Sequence, residues 1–152
     1  MPEAVGVSAS VTQVWPGVWV GSGMVPNPRD LMRELGVTLI VVASPTAYDR
    51  WKGIPEVHPI LFDDTEEMTP HMAYRLLLRV TQLPKAEEVA FLCYAWENRS
   101  CFLAGLWLWW RGIMTANQAA GLMVQTRPNA LNNRTLRGLL LALDKPLLRE
   151  AA

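Results

Sequence analysis

Histidine and cysteine are scarce in this sequence, two of each among 152 residues. That excludes a disulfide-stapled scaffold, and no compact ligand spacing for a structural zinc site is present. Net charge is also missing, because 14 Lys and Arg balance 14 Asp and Glu. There is no broad basic field for nucleic acid or an anionic membrane surface, although a local anion site is still allowed. Long apolar runs are lacking as well: the longest, residues 101–110 between Arg99 and Arg111, falls well short of the roughly 18 residues that span a bilayer. It reads as a core helix. No basic leader precedes an apolar stretch, so the expectation is a cytoplasmic protein without membrane insertion.

Apolar residues are plentiful. Hydrophobic residues make up 51% and charged residues 18%, which predicts a single domain with a packed core rather than disorder. Seven tryptophans are present, and Trp107 and Trp110, three apart in one helical stretch, would share a face and offer aromatic surface to a protein partner.

Strand and helix patterns alternate along the chain. Residues 15–20 read as a strand ended by Gly21-Ser22-Gly23, and Asn27-Pro28 as the start of a short helix with Leu31, Met32 and Leu35 inward and Gly36 as its stop. Residues 37–43 form a nearly continuous apolar run, as in a strand covered on both faces, and 56–62 form another that leads into the acidic turn 63–67. Thr69-Pro70 opens a helix with Met72, Leu76, Leu77, Val80 and Leu83 inward, closed by Pro84. A strand over 89–93 follows, then a polar crossing into a helix from near Ser100. Thr115 and Gln118 have capping-box spacing for a helix to about Thr126, and Asn133 caps another from 134 to about 143. This order predicts a three-layer α/β domain with a mostly parallel central sheet flanked by helices.

The segment with the most chemistry is Cys93-Tyr94-Ala95-Trp96-Glu97-Asn98-Arg99-Ser100, between a strand and a helix. A loop at a helix N-terminus aims backbone N–H groups at one phosphate, and the helix field favours both that anion and a thiolate. Cys93 would be the nucleophile, Arg99 a bidentate ligand of phosphate oxygens, and the Ser100 hydroxyl a hydrogen-bond partner that eases departure of the sulfur. The competing reading of the same residues is a buried strand-end thiol and a surface charge.

Cysteine, five residues, arginine, then serine is the spacing of the cysteine-dependent protein tyrosine phosphatases, and the chain resembles their small dual-specificity class over residues 15–143. Val18-Trp19-Val20-Gly21-Ser22 and Leu35-Gly36-Val37-Thr38-Leu39-Ile40-Val41 are similar to that class's early strand, helix and second strand. Ile60-Leu61-Phe62-Asp63-Asp64-Thr65 looks like its general-acid loop, and Arg127-Pro128-Asn129 with Asn132-Asn133, Leu136 and Leu139 resembles its C-terminal part. The resemblance implies a phosphatase-like domain over 15–146, preceded by an extension, 1–14, and followed by a tail, 147–152. It also implies hydrolysis of phosphomonoesters with no metal or cofactor, on phosphotyrosine proteins and extending to phosphoserine and phosphothreonine. Catalytic roles fall on Cys93, Arg99, Asp64 and Ser100, and phosphate binding on the loop Tyr94, Ala95, Trp96, Glu97, Asn98 and Arg99. Asp64 aligns with the class better than Asp63, because threonine follows it.

Two positions depart from the class, which usually has histidine before the nucleophile, here Leu92, and glycine at the place of Trp96. These departures motivate an alternative, a phosphate-binding interaction protein with little turnover. Sulfur transfer or arsenate reduction would also use a reactive thiol in an anion-binding loop. Cys101 reads as buried packing before it reads as a redox partner of Cys93. Arg127 either orients the acid loop or approaches substrate, or else sits in a helix-end ion pair or solvent. His58 and His71 stand isolated, and Gly21 and Gly23 match no nucleotide-binding pattern.

Overall fold

The computed structural model describes residues 11–94 and 98–145. Their order is β1 (Val11–Trp15), β2 (Val18–Ser22), α1 (Pro28–Leu35), β3 (Leu39–Val42), α2 (Pro45–Trp51), β4 (Val57–Pro59), α3 (Pro70–Thr81), β5 (Val89–Cys93), α4 (Arg99–Trp110), α5 (Ala116–Thr126) and α6 (Arg134–Leu141), with a final 3-10 turn, Ala142–Asp144. The helix starts follow a common local rule. Asn27, Ser44 and Thr69 each accept a backbone N–H through the side chain, with proline in the first turn, so a free donor of the helix end is satisfied and the proline's missing N–H costs nothing. Thr115 and Gln118 close a reciprocal capping box on α5, and Asn133 caps α6. Gly36 ends α1 at φ 70°, in the left-handed region.

The strands form a five-stranded sheet in the order β1-β2-β5-β3-β4, parallel except for the antiparallel pair β1 and β2. β5 lies at the centre, with Ser22 opposite Cys93 on one side and Val42 opposite Leu92 on the other. Its alternation divides the interior. Val89, Phe91 and Cys93 face a large core with residues of α3 to α6, whereas Ala90 and Leu92 face a smaller one with Leu31, Ala47 and Trp51 of α1 and α2. The expected three-layer, mostly parallel architecture is therefore present.

Several local expectations are corrected. Residues 15–20 are not one strand: the chain reverses at Pro16-Gly17, where Gly17 has φ 83°, and Val11 to Val14, inside the segment expected to be an extension, already belong to the sheet. The 56–62 strand shortens to Val57–Pro59, which leaves Asp63 and Asp64 on a loop. Helix α2 is an element beyond those expected, and Ser44-Pro45 at its start repeats the cap-and-proline pattern of α1 and α3; Trp51 at its end is fully buried and donates Nε1–H to the Gly23 carbonyl at 2.8 Å. Met72, expected inward on α3, is exposed. Trp107 and Trp110 do not share an exposed face. Trp107 packs edge-on against Phe91 in the core, with ring centroids 6.0 Å apart, and Trp110 is 51% exposed.

Glycine is required for space as well as conformation at position 17. A Cβ there would lie 2.1 Å from the Glu87 carbonyl oxygen, whereas a Cβ on Gly36 meets nothing within 4 Å. Gly36→Ala should cost about 1 kcal/mol, the left-handed penalty alone, and Gly17→Ala about 3 kcal/mol or more, because a backbone clash is added. Urea denaturation of the two variants checks the ranking, and equal losses would contradict it.

Candidate active site

Cys93 is the last residue of β5 and is 1% exposed. The end of β2 grips the chain at this point: Gly23 N–H donates to the Cys93 carbonyl at 2.9 Å, and the Ser22 hydroxyl donates to the Tyr94 carbonyl at 3.1 Å. Tyr94 is exposed. Ala95, Trp96 and Glu97, read from the sequence as phosphate-loop residues, lie outside the described residues. The chain then enters α4, whose residues from Ser100 to Leu108 are all buried. A helix apolar on every side has to run through the interior, and this one gives the loop a fixed base. Ser100 is fully buried, and the Cys93 thiol donates to its Oγ at 3.5 Å. In a thiolate the direction reverses, and the hydroxyl donates to sulfur.

The loop after β4, with Asp63 and Asp64, lies against the same place. Arg99 Nη1 donates to the Phe62 carbonyl at 3.3 Å, and Phe62 packs edge-on against Phe102 of α4 with ring centroids 6.1 Å apart. Asp64 accepts from Asn98 Nδ2 at its Oδ2, at 2.9 Å, and from Asn133 Nδ2 at its Oδ1, at 2.8 Å. The Thr135 hydroxyl donates to the Glu66 carbonyl at 3.0 Å, which fastens the loop to α6 a second time. Cys93, Arg99, Ser100 and Asp64 thus stand on three segments joined by hydrogen bonds, and of the two adjacent carboxylates Asp64 is the one bonded to Asn98. The double role of Asn133 escaped the sequence reading, which recognised only its cap. Its partner Asp64 is 69 residues away, and no local periodicity records such a pairing.

The remaining candidates fall elsewhere. Leu92 is fully buried on the opposite face of the sheet from Cys93, and a Cβ added to Gly23 would lie 3.3 Å from its Cβ and 3.1 Å from Trp51 Nε1. The position that resembles a histidine site is therefore a tight apolar contact. Cys101 is fully buried in α4. Arg127 is buried and donates from Nε and Nη2 to the Thr12 hydroxyl at 3.0 and 2.6 Å, which ties the end of α5 to β1. His58 lies on β4 and His71 on α3. Among the described residues, no three His, Cys, Asp or Glu side chains gather as metal ligands, and no helix is long and apolar enough to cross a membrane.

No family model matches the chain. Over 46 residues, 30% of its length, it is 39% identical to dual specificity protein phosphatase 26 of mouse and of human, and the match spans only 20% of those proteins. Similarity of fold extends much further. Human DUSP28 superposes with a TM-score of 0.71 at 14% identity, covering 91% of this chain and 95% of that one. DUSP15 gives 0.66 at 16% identity, covering 92% and 90%. PTP-2 phosphatase of Cydia pomonella gives 0.62 at 18% identity, covering 88% and 89%. The chain therefore has the fold of the dual-specificity phosphatases, and over one short stretch it is similar to them in sequence as well.

Proposed function

We propose that the chain hydrolyses phosphate monoesters without a metal, through a cysteinyl-phosphate intermediate, acting on phosphotyrosine proteins and also on phosphoserine and phosphothreonine. The observation that carries this reading is the Cys93 thiol at the C-terminal end of the central strand, in contact with Ser100 at the start of a buried helix and backed by an acid loop hydrogen-bonded to the phosphate loop. Ligands of open α/β sheets bind at the carboxyl ends of the strands, and a helix start supplies N–H groups for an anion.

In the first step the Cys93 thiolate attacks phosphorus; an S–P bond forms, the bond from phosphorus to the ester oxygen breaks, and Asp64 gives that oxygen a proton. Arg99 and the loop amides hold the non-bridging oxygens. In the second step the Asp64 carboxylate takes a proton from water, the resulting hydroxide attacks phosphorus, and the S–P bond breaks. Inorganic phosphate leaves while Ser100 donates to the returning thiolate. The reaction needs a reduced thiol at Cys93, which is our reason for placing the activity in a reducing compartment, the cytoplasm.

Phosphate binding with little turnover is the second reading, favoured by Leu92, whose packing puts an apolar side chain where related enzymes usually have histidine. It differs in outcome, since phosphopeptide binding would persist with no turnover that depends on Cys93.

Freshly reduced protein in a metal chelator should hydrolyse para-nitrophenyl phosphate, and folded Cys93→Ser should fall to background; turnover that survives this substitution would exclude the mechanism. Asp64→Asn should lower kcat on an ester with a poor leaving group by about 10² or more, with Asp63→Asn close to wild type. A larger loss in Asp63→Asn would transfer the acid role to Asp63.

A further inference from the structure

Asn98 occupies the N-cap position of α4 but makes no side-chain cap bond to that helix. Asparagine is among the strongest capping residues, and Asn133 shows the usual use, its Oδ1 accepting from Thr135 and Leu136 N–H at 3.0 and 3.1 Å. The Asn98 amide is engaged elsewhere at every group. Its Nδ2 donates to Asp64 Oδ2 at 2.9 Å and to Asn132 Oδ1 at 2.8 Å, and its Oδ1 accepts from Asn133 N–H at 3.0 Å. Both amide hydrogens are spent, and an amide oxygen does not bind an anion. The side chain of Asn98 is thus not a phosphate ligand, although the residue lies in the phosphate loop.

Resting on the phosphatase reading above, we propose that Asn98 is the positioning residue for the general acid: its amide, with that of Asn133, clamps Asp64 between the phosphate loop and the start of α6. Each Asp64 oxygen receives one amide hydrogen and keeps a second lone-pair direction. That leaves the carboxyl able to carry a proton toward the leaving group while its plane is fixed from two sides. The donor is what matters. Aspartate at position 98 would keep the shape and the ability to cap α4, but it would set an acceptor and a negative charge against Asp64.

The leaving group reads this role directly. A poor leaving group such as phenol needs protonation in the transition state, and para-nitrophenol needs it much less. Asn98→Ala and Asn98→Asp should each lower kcat/KM about thirty-fold on phenyl phosphate and about threefold on para-nitrophenyl phosphate, a selective tenfold effect. In an Asp64→Asn background, Asn98→Ala should add little further loss on phenyl phosphate, as expected for residues that act as one unit. Equal losses on the two esters, full activity in Asn98→Asp, or an undiminished loss when Asp64 is already gone would overturn the clamp and leave the phosphatase reading intact. If wild-type protein shows no turnover of either ester that depends on Cys93, the phosphatase reading falls and the clamp falls with it.

Discussion

The site depends on the junction between β5 and α4. β5 is hydrogen-bonded on both sides, to β2 and to β3, so the position of Cys93 is set by two strand registers at once. One residue later the chain leaves the sheet, and within seven it has entered a helix buried from Ser100 to Leu108. Neither end of the loop can shift without disturbing the core, because a one-residue slip of β5 would exchange Phe91 and Leu92 between two packed interiors. Burying an apolar side chain of this size is worth about 2 kcal/mol, and a slip would misplace every residue of β5.

Asp64 reaches this point by a different route. Asp64 sits on the loop after β4, a three-residue strand at the far edge of the sheet, and strand pairing alone would hold it loosely. Hydrogen bonds replace what the sheet does not supply. Arg99 to Phe62, Asn98 and Asn133 to Asp64, and Thr135 to Glu66 bind the loop to the starts of α4 and α6. The same Asn133 amide that caps α6 through its oxygen reaches Asp64 through its nitrogen, so the cap that fixes the helix also holds this carboxylate.

Much of the fold was legible because it rests on local rules. Caps at Asn27, Thr69, Thr115 and Asn133, the stop at Gly36, and the apolar run of β5 all appear where side-chain chemistry within four residues demands them. Failures came where two local signals adjoined or where one was passed over: the hairpin at Pro16-Gly17 was merged into one strand, and the cap at Ser44 was not read as a helix start. At the site, the spacing of Cys93, Arg99 and Ser100 was visible because these residues lie within eight positions of one another in the sequence. The link between Asp64 and the pair Asn98 and Asn133 was not, since it joins residues 34 and 69 positions apart through the tertiary fold. Exposure of the tryptophans was misjudged for a related reason: the spacing of Trp107 and Trp110 places them on neighbouring parts of α4 but does not say which part the sheet covers.

The central claim is that phosphate passes through Cys93. Rapid acid quench of a reaction with para-nitrophenyl phosphate, followed by intact-mass analysis and peptide mapping, tests it most directly, especially with Asp64→Asn to slow the second step. The account predicts one phosphoryl group per chain, located on Cys93 and formed in a burst of nitrophenol before steady turnover. Release of nitrophenol with no adduct on Cys93 at any quench time, or with an adduct on another residue, would contradict it.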